Sequence, residues 1–420
     1  MNVSESLRVA LGSLVANKMR SALTMLGIII GVGAVIALMS VGRGAQATVT
    51  QQIRSMGTNL LFIMPGAARG EGGARLGSGT APTLTYEDAM AIGEPGAIPE
   101  VAAAAPEMIS FAQVIAGSNN VNSRVTGITP EYENVRNFHT AEGSFITKQQ
   151  VDARSTVAIL GSNVASSLFP DQSPIDQQVS LGFGNRRLRF RVVGVLESKG
   201  AQAMGNQDDM ILIPITTLQS RVMAQRTVRG GHNVSSINVQ LVSEDPEVMS
   251  AAVQNIGDLL RQRHHAAQDD FTIMSQEDML ATANQIMGVM TMLLGSVAGI
   301  SLVVGGIGIM NIMLVSVTER TREIGIRKAV GAKRRDILVQ FLVESVVVSV
   351  VGGAVGILLG SGLSSLLGSL DFGGQKMQTV VSADAILLAF GVSSAIGVFF
   401  GIYPASRAAR LNPIEALRYE

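Results

Sequence analysis

The sequence predicts an integral membrane α-helical protein, with four transmembrane helices and extended stalk helices, that carries a large extracytoplasmic α+β domain. Its composition indicates the membrane class, because 47% of the 420 residues are hydrophobic and only 15% are charged, whereas soluble domains carry about 25% charged residues. Four apolar runs reach the length of about 20 residues that crosses a bilayer. Residues 44–282 contain no comparable run and must therefore fold in water.

The N-terminal 43 residues predict a surface helix followed by a first span. Residues 1–20 place Leu7, Leu11 and Leu14 on one face of an amphipathic cytoplasmic helix, and residues 21–43 form the span. A cleaved signal peptide is the alternative, because residues 45–47 resemble a cleavage site. We favour an uncleaved span, since the apolar run exceeds the roughly 7–15 residues of a signal core.

The extracytoplasmic domain should contain an α+β part that is split by an insertion. Residues 236–274 follow a strand, helix and strand pattern, and turn signals at 117–120 and 184–185 predict two hairpins. Residues 66–82 are rich in Gly, Ala, Ser and Arg and should form a loop.

These signals divide the domain into a split α+β piece, at about 44–110 and 229–282, and a β-rich insertion over about 111–228. Between Val101 and about Val228 we expect mostly β structure.

The C-terminal part predicts three more spans joined by short segments. The uncharged run that begins at Met279 would extend about 60 Å as one helix, roughly twice the hydrocarbon thickness, so its first part should stand outside the membrane as a stalk. In order, we expect a stalk and second span (283–317), a cytoplasmic loop (318–336), a third span (337–370), an outer loop (371–384), a fourth span (385–406) and a cytoplasmic tail (407–420).

The loop at 318–336 determines the expected orientation. It is short and strongly basic, and Lys and Arg are poorly translocated, so it should face the cytoplasm. With four spans, both termini are then cytoplasmic and residues 44–282 are extracytoplasmic.

The same loop predicts a short helix. Ile326, Ala329 and Val330 are spaced to share one helical face, and Gly331 is typical of a helix end. The apolar face could bind a partner, or the charges could only anchor two spans at the lipid headgroups. The residues alone slightly favour the second interpretation.

Glycines in the spans recur at intervals of four residues, which permits close helix packing. The alternative is the ordinary tolerance of spans for glycine. The candidate packing positions are Gly27, Gly31, Gly352, Gly356, Gly360, Gly397 and Gly401.

Several chemistries are not expected. The chain has no cysteine, no G-x-x-x-x-G-K-[ST] nucleotide loop and no H-E-x-x-H pair, so we expect no catalytic, cofactor or metal residues. His264 and His265 with Asp269 and Asp270 should form a solvated helix end. No charge is expected inside a span, which argues against proton-coupled transport. A net charge of zero gives no sign of nucleic-acid binding.

Three segments together resemble MacB-type ABC transporter permeases, of the MacB/FtsX/LolC-E-like superfamily. They are E-R-T-R-E-I-G-I-R-K-A-V-G-A-K-R-R-D-I (319–337), A-L-G-S-L-V-A-N-K-M-R-S-A-L-T-M-L-G-I-I-I-G-V (10–32) and Y-P-A-S-R-A-A-R-L-N-P-I-E-A-L-R-Y-E (403–420). The similarity includes both ends and all four spans, and it is weak in sequence over the extracytoplasmic domain.

The resemblance implies a non-catalytic membrane subunit of an ATP-hydrolysing efflux complex in the bacterial cytoplasmic membrane. A homodimer would bind ATPase subunits that hold ATP and Mg, and its extracytoplasmic domain, with porter-like parts and an insertion, would engage an adaptor protein. The resemblance assigns ATPase docking to Glu319, Arg322, Glu323, Ile326, Arg327, Lys328, Ala329, Val330, Gly331 and Ala332.

MacB begins with a fused ATPase domain, whereas this sequence starts at the membrane helix, so a separate ATPase polypeptide is expected. The exported substrate would be a drug, peptide or similar compound. A membrane subunit for lipoprotein extraction or hydrolase activation is the first alternative. A membrane-anchored sensor is another, but its cytoplasmic segments would be only about 20 residues long.

Overall fold

The computed structural model describes residues 18–56, 59–66, 82–184, 186–202, 205–222, 231–265, 269–369, 371–372, 375–376 and 379–417. The chain forms two compact units, which we call the membrane unit (Met1–Thr48 and Ala283–Glu420) and the sheet unit (Val49–Thr282). Most of the predicted N-terminal surface helix and of the 66–82 loop lies outside the described residues.

The described elements, in chain order, are α1 (Lys18–Ser55), β1 (Leu60–Pro65), α2 (Tyr86–Ile92), β2 (Val101–Ala116), β3 (Asn119–Ile128), α3 (Tyr132–Val135), β4 (Thr140–Gly143), α4 (Lys148–Asp152), β5 (Val157–Leu160), α5 (Ser162–Leu168), β6 (Gln178–Phe183), β7 (Arg186–Leu196), β8 (Ala201–Gln202), β9 (Gly205–Asn206), a 3₁₀ turn (Gln207–Asp209), β10 (Met210–Pro214), α6 (Ile215–Arg221), β11 (Ser236–Leu241), α7 (Pro246–His264), β12 (Phe271–Ser275), α8 (Gln276–Glu319), α9 (Thr321–Ala329), α10 (Arg334–Ser369), β13 (Asp371–Phe372), β14 (Gln375–Lys376), α11 (Ala383–Arg410) and α12 (Pro413–Leu417). This is the predicted fold class.

Four helices, α1, α8, α10 and α11, are long and apolar enough to cross a membrane. Of these, α8 is continuous over 44 residues, which corresponds to about 66 Å at 1.5 Å per residue. That length is roughly twice the hydrocarbon thickness of a bilayer. Part of α8 must therefore lie outside the hydrocarbon, as the sequence predicts for a stalk.

The core of the membrane unit is formed by apolar side chains from all four long helices. Ile28 and Ile36 of α1, Ile309 of α8, Phe341 of α10 and Ala405 of α11 are at most 1% exposed.

Glycines bring α1 into backbone contact with two neighbouring helices. A Cβ on Gly27 would lie 2.8 Å from Cα of Gly305 in α8, and a Cβ on Gly360 would lie 2.7 Å from the carbonyl oxygen of Gly33. Such contacts tolerate no side chain, because backbone atoms cannot move aside.

The other predicted packing glycines also face a neighbouring helix. Gly31 lies against Leu302, Gly352 against Ile28, Gly356 against the Ile29 carbonyl and Val32, Gly397 against Ser349, and Gly401 against Ser345.

The sheet unit is built on a ten-stranded mixed sheet in the order β12-β1-β11-β2-β3-β10-β5-β7-β4, with β6 paired to β2 and β7. The predicted strand, helix and strand pattern is present as β11, α7 and β12. Strand β1 lies between β11 and β12 and is antiparallel to both, so this α+β piece is assembled from both ends of the unit.

Strand β2 belongs to both halves of the sheet. Its residues 101–107 pair with β11, whereas Met108–Ala116 pair with β3. The predicted border at about residue 110 therefore lies inside one continuous strand. The β2–β3 hairpin turns at Gly117, whose φ of +58° favours glycine.

The expectation of mostly β structure between Val101 and about Val228 missed four short helices, α3 to α6. Helices of four to seven residues are too short for apolar periodicity to reveal them. The available signal was local, since Thr147 and Gln150 form a capping box at the start of α4.

The expectation of a solvated helix end at His264 is wrong. His264 is only 3% exposed, and its two ring nitrogens lie 3.1 Å from Asp88 Oδ2 and 2.6 Å from Asp270 Oδ1. Arg263 Nε donates to Asp88 Oδ1 at 2.7 Å, and Asp88 also caps α2 through Thr85. Among the described residues, no group of three or more His, Cys, Asp or Glu could hold a metal ion.

This cluster shifts the pKa of two of its members. The hydrogen bond with Asp88, supported by the one with Asp270, raises the pKa of His264. Burial alone would raise the pKa of Asp88, but hydrogen bonds from His264, Thr85 and Arg263 outweigh it and hold that pKa below its usual range. The ions thus stabilise one another at the junction of α2, α7 and β12.

Gly305→Ala should lower the free energy of unfolding by about 1–3 kcal/mol through overpacking, because its Cβ would meet backbone atoms of Gly27 at 2.9 Å. Gly308→Ala, on the same helix with open space around it, is the matched control and should be neutral or stabilising by up to about 1 kcal/mol. Aggregation temperatures of the detergent-solubilised variants measure the difference. Equal temperatures would contradict the close contact.

His264→Asn should destabilise the sheet unit by about 3 kcal/mol at pH 6, because it leaves two carboxylates without their buried cationic partner. A histidine with a raised pKa stabilises the fold in its protonated form. The contribution of His264 to the free energy of unfolding is therefore complete below about pH 6.5, the pKa of an unperturbed histidine. It is lost as the pH rises through the raised pKa of His264 in the folded protein.

Pulse proteolysis of the full chain in urea, at pH 6 and pH 9, measures this effect. The exposed neighbour His265 provides the matched control, His265→Asn, which should behave as wild type at both pH values. If His264→Asn lost the same stability at pH 6 and pH 9, protonation of His264 would have no role in stabilising the sheet unit.

Candidate docking site on the membrane unit

The basic segment between α8 and α10 contains the predicted short helix, α9. It begins after Arg320 and ends at Ala329. Gly331 follows two residues later with a φ of +103°, the left-handed conformation typical of a helix stop. The Ala332 amide donates to the Arg327 carbonyl at 3.0 Å and closes the last turn. The sequence folds this way because glycine adopts that conformation without strain.

One face of α9 is buried and the other is exposed. Thr321, Ile324 and Gly325 are buried. Ile326 is 50% exposed and Val330 is 85% exposed. We call the exposed side of α9, with Glu319 at the end of α8 and Val330 at the end of α9, the docking surface. Its other residues are Arg322, Glu323, Ile326 and Ala329. The three apolar residues of the predicted face are thus at the surface together.

Two predicted docking residues make their polar contacts within the chain. Lys328 Nζ donates to the carbonyl oxygens of Ala409 at 2.6 Å and Leu411 at 2.7 Å, at the end of α11. Arg327 donates to Gln340 Oε1 of α10 at 3.0 Å and to Glu323 Oε1 at 2.5 Å. These contacts anchor α9 to its neighbours, and both side chains are half-buried.

The last two predicted docking residues differ from each other in exposure. Gly331 is exposed, whereas Ala332 is half-buried and packs against the apolar core of the membrane unit.

A further ionic contact was missed by the sequence analysis. Arg320 NH1 lies 3.4 Å and 3.5 Å from the two carboxylate oxygens of Glu344, and the Glu344 side chain is only 8% exposed. The expectation that no span holds a charge is therefore wrong, because Glu344 lies within the predicted third span, 337–370. A single acid between Leu342 and Val346 was the signal, since charges in spans are costly and mark functional or paired positions.

The C-terminal tail also contributes structure that the sequence analysis treated only as a charged end. Residues Pro413–Leu417 form α12, which packs against α9. Ala416 is buried and Ile414 is 71% exposed. Within α1, Arg43 donates to Asp384 Oδ1 in the first turn of α11 at 2.7 Å.

Comparison with known proteins locates these features within a family. The family model described as MacB-like periplasmic core domain matches residues 21–258. The model described as FtsX-like permease C-terminal matches residues 295–413, which include the docking surface.

Two curated relatives align along nearly the whole chain. The macrolide export ATP-binding/permease protein MacB of Bdellovibrio bacteriovorus is 41% identical over 422 residues, which is 99% of this chain and 62% of that protein. The protein of the same name from Syntrophobacter fumaroxidans is 40% identical over 465 residues, which is 99% of this chain and 64% of its own length. The chain thus spans about three fifths of the length of these relatives.

The crystal structure of the periplasmic region of MacB from Actinobacillus actinomycetemcomitans is more distant. It covers 55% of this chain and 95% of its own, at 22% identity and a TM-score of 0.43.

Lys328→Met should loosen the end of α11, because it removes a cation that bonds two terminal carbonyls. We expect the free energy of local opening to fall by about 1–2 kcal/mol, and amide hydrogen exchange over 405–417 to become about tenfold faster. Hydrogen-exchange mass spectrometry of the full chain in lipid nanodiscs measures it. The exposed Lys333 provides the control Lys333→Met, and equal exchange in the two variants would refute the anchoring role.

Proposed function

Because the chain belongs to the MacB/FtsX-like family of ABC transporter permeases, we propose that it is the permease and mechanotransmission subunit of an ABC-type exporter. It couples ATP hydrolysis by an ATPase that these 420 residues do not include to movements of its periplasmic domain. With an adaptor protein, those movements drive efflux of a drug, peptide or similar substrate. The curated relatives carry macrolide export and ATP binding in their names, which supports this assignment.

The exposed docking surface is the observation that carries the proposal. Val330 and Ile326 expose 85% and 50% of their surface on a helix that is anchored to α10 and α11 by Arg327 and Lys328. An exposed apolar face with charged residues beside it fits a protein partner better than water. The ATPase is the partner we assign to it, with ATP and Mg bound on the ATPase and no cofactor in this chain.

The orientation of the chain follows from the same assignment. The docking surface faces the cytoplasm, both termini are on that side, and residues 44–282 face the periplasm. Helix α8 is continuous from Gln276 to Glu319, which is two residues before the docking helix begins, so it provides an uninterrupted rod for transmitting displacement. The chain itself is non-catalytic.

We assign a homodimer with two ATPase copies to the working complex. Along α8, apolar side chains such as Met292, Ile300 and Val304 are 63–73% exposed. Lipid covers the part of this surface inside the bilayer, and a second copy covers the part that extends beyond it, because α8 is longer than the hydrocarbon is thick.

Val330→Glu should reduce recovery of the ATPase with the affinity-purified chain by about tenfold or more, because it puts a charge at the centre of the apolar contact. Its high exposure means that the fold of the chain should not change. Quantitative mass spectrometry of complexes purified from membranes measures the recovery.

The matched control is Val242→Glu, an equivalent change at a residue of the sheet unit that is 58% exposed. It should recover the ATPase as wild type does. Wild-type recovery with Val330→Glu would refute the docking surface, and ATP hydrolysis by the purified chain alone would refute the non-catalytic role.

A further inference from the structure

We propose that Glu344 is a positioning residue for coupling: together with Arg320 it fixes the start of the docking helix α9 to α10, so that displacement at the docking surface moves the membrane helices. The inference rests on the proposed function for what applies the displacement. Glu344 itself is not part of the docking surface.

Arg320 occupies the bend where such a displacement would otherwise be absorbed. It is the residue between α8, which ends at Glu319, and α9, which begins at Thr321. Its backbone leaves the helical conformation (φ −99°, ψ 15°). The Thr321 hydroxyl donates across the bend to the carbonyl oxygens of Val317 at 3.0 Å and Thr318 at 2.8 Å. These contacts are local to the bend, so a contact with a neighbouring helix is needed to pass its displacement to the rest of the membrane unit.

Glu344 supplies that contact from the neighbouring helix. Its carboxylate oxygens lie 3.4 Å and 3.5 Å from Arg320 NH1. The carboxylate side chain is 8% exposed and the arginine side chain 25% exposed. Removal of one member of such a pair leaves a poorly solvated charge, which is far more costly than loss of a surface ion pair. The bend is thereby held in one geometry.

The pair works with two other attachments of the same helix. Gln340 lies four residues before Glu344, one turn away on α10, is 2% exposed, and accepts from Arg327. Lys328 bonds the end of α11. The attachments lie at both ends of α9 and reach two different helices, so α9 cannot turn about its own axis or tilt without breaking at least one of them.

Of these three attachments of α9, the Arg320–Glu344 pair is the one located at the bend. Gln340 and the α11 carbonyls are neutral partners at the far end of α9, whereas Glu344 is the charged partner that contacts Arg320 at the bend itself. A carboxylate in a span can also mark a proton pathway, but an arginine within 3.5 Å makes Glu344 half of an ion pair.

The test uses the full chain in lipid nanodiscs, first alone and then with the ATPase that co-purifies with the wild type. Glu344→Gln and Arg320→Gln each break the pair, Arg320→Lys keeps its charge, and Glu415→Gln removes an exposed carboxylate as the matched control. For the chain alone, we expect hydrogen exchange over 319–332 to be about tenfold faster in both Gln variants. Arg320→Lys and Glu415→Gln should stay within about twofold of wild type.

For the complex, the readout separates docking from transmission. Both Gln variants should retain the ATPase within about twofold, because the docking surface is unchanged, yet ATP should no longer alter hydrogen exchange in the sheet unit. A purely structural role would reduce ATPase recovery, ATP response and expression together.

Wild-type exchange over 319–332 together with a normal ATP response in Glu344→Gln would overturn the inference. Release of the ATPase by Glu344→Gln would also overturn it, because the residue would then act in docking. If Glu344→Gln does not accumulate, the comparison of Arg320→Lys with Arg320→Gln decides. Absence of any ATPase from the purified wild-type complex would contradict the proposed function. Hydrogen exchange over 319–332 in the chain alone would still test whether the Glu344–Arg320 pair restrains the bend.

Discussion

Close backbone contact between helices is the constraint on which the membrane unit depends. Inside a bilayer, lipid tails are as apolar as leucine, so burial of apolar side chains alone does not hold helices together. Helix α1 meets α8 at Gly27 and Gly305 and meets α10 at Gly33 and Gly360, where backbone atoms touch directly. These contacts increase the number of dispersion interactions, and they leave no room for side chains that would let the helices slide.

Polar contacts complete this packing where the helices end. Arg43 joins the end of the α1 span to the start of α11, and Lys328 joins α9 to the end of α11. Such bonds are directional, whereas glycine contacts are not. The combination gives α9 a fixed orientation on the membrane unit.

The sheet unit solves a different problem, because it must be stable in water without a disulfide. It does so with a continuous sheet in which β2 pairs with β11 along one part and β3 along the next. The buried cluster of His264, Asp88 and Asp270 then joins two helices to a strand. Each charge is partnered, so its burial strengthens the junction and does not weaken it.

The sequence by itself determined the features that depend on local patterns. Four long apolar runs give four helices, the spacing of Ile326, Ala329 and Val330 gives the exposed face, and Gly331 ends the helix. In each case the residues that decide the structure are within a few positions of one another.

Only the tertiary structure decided which charges are partnered and which are exposed. Lys328 bonds a carbonyl 81 residues away, Arg320 meets Glu344 24 residues away, and His264 meets Asp88 across 176 residues. The insertion of β1 between β11 and β12 is equally non-local. Helical and strand periods do not encode such partners, because the partners are selected by packing between distant segments, and a side chain looks the same in sequence whether it faces a carbonyl or the solvent.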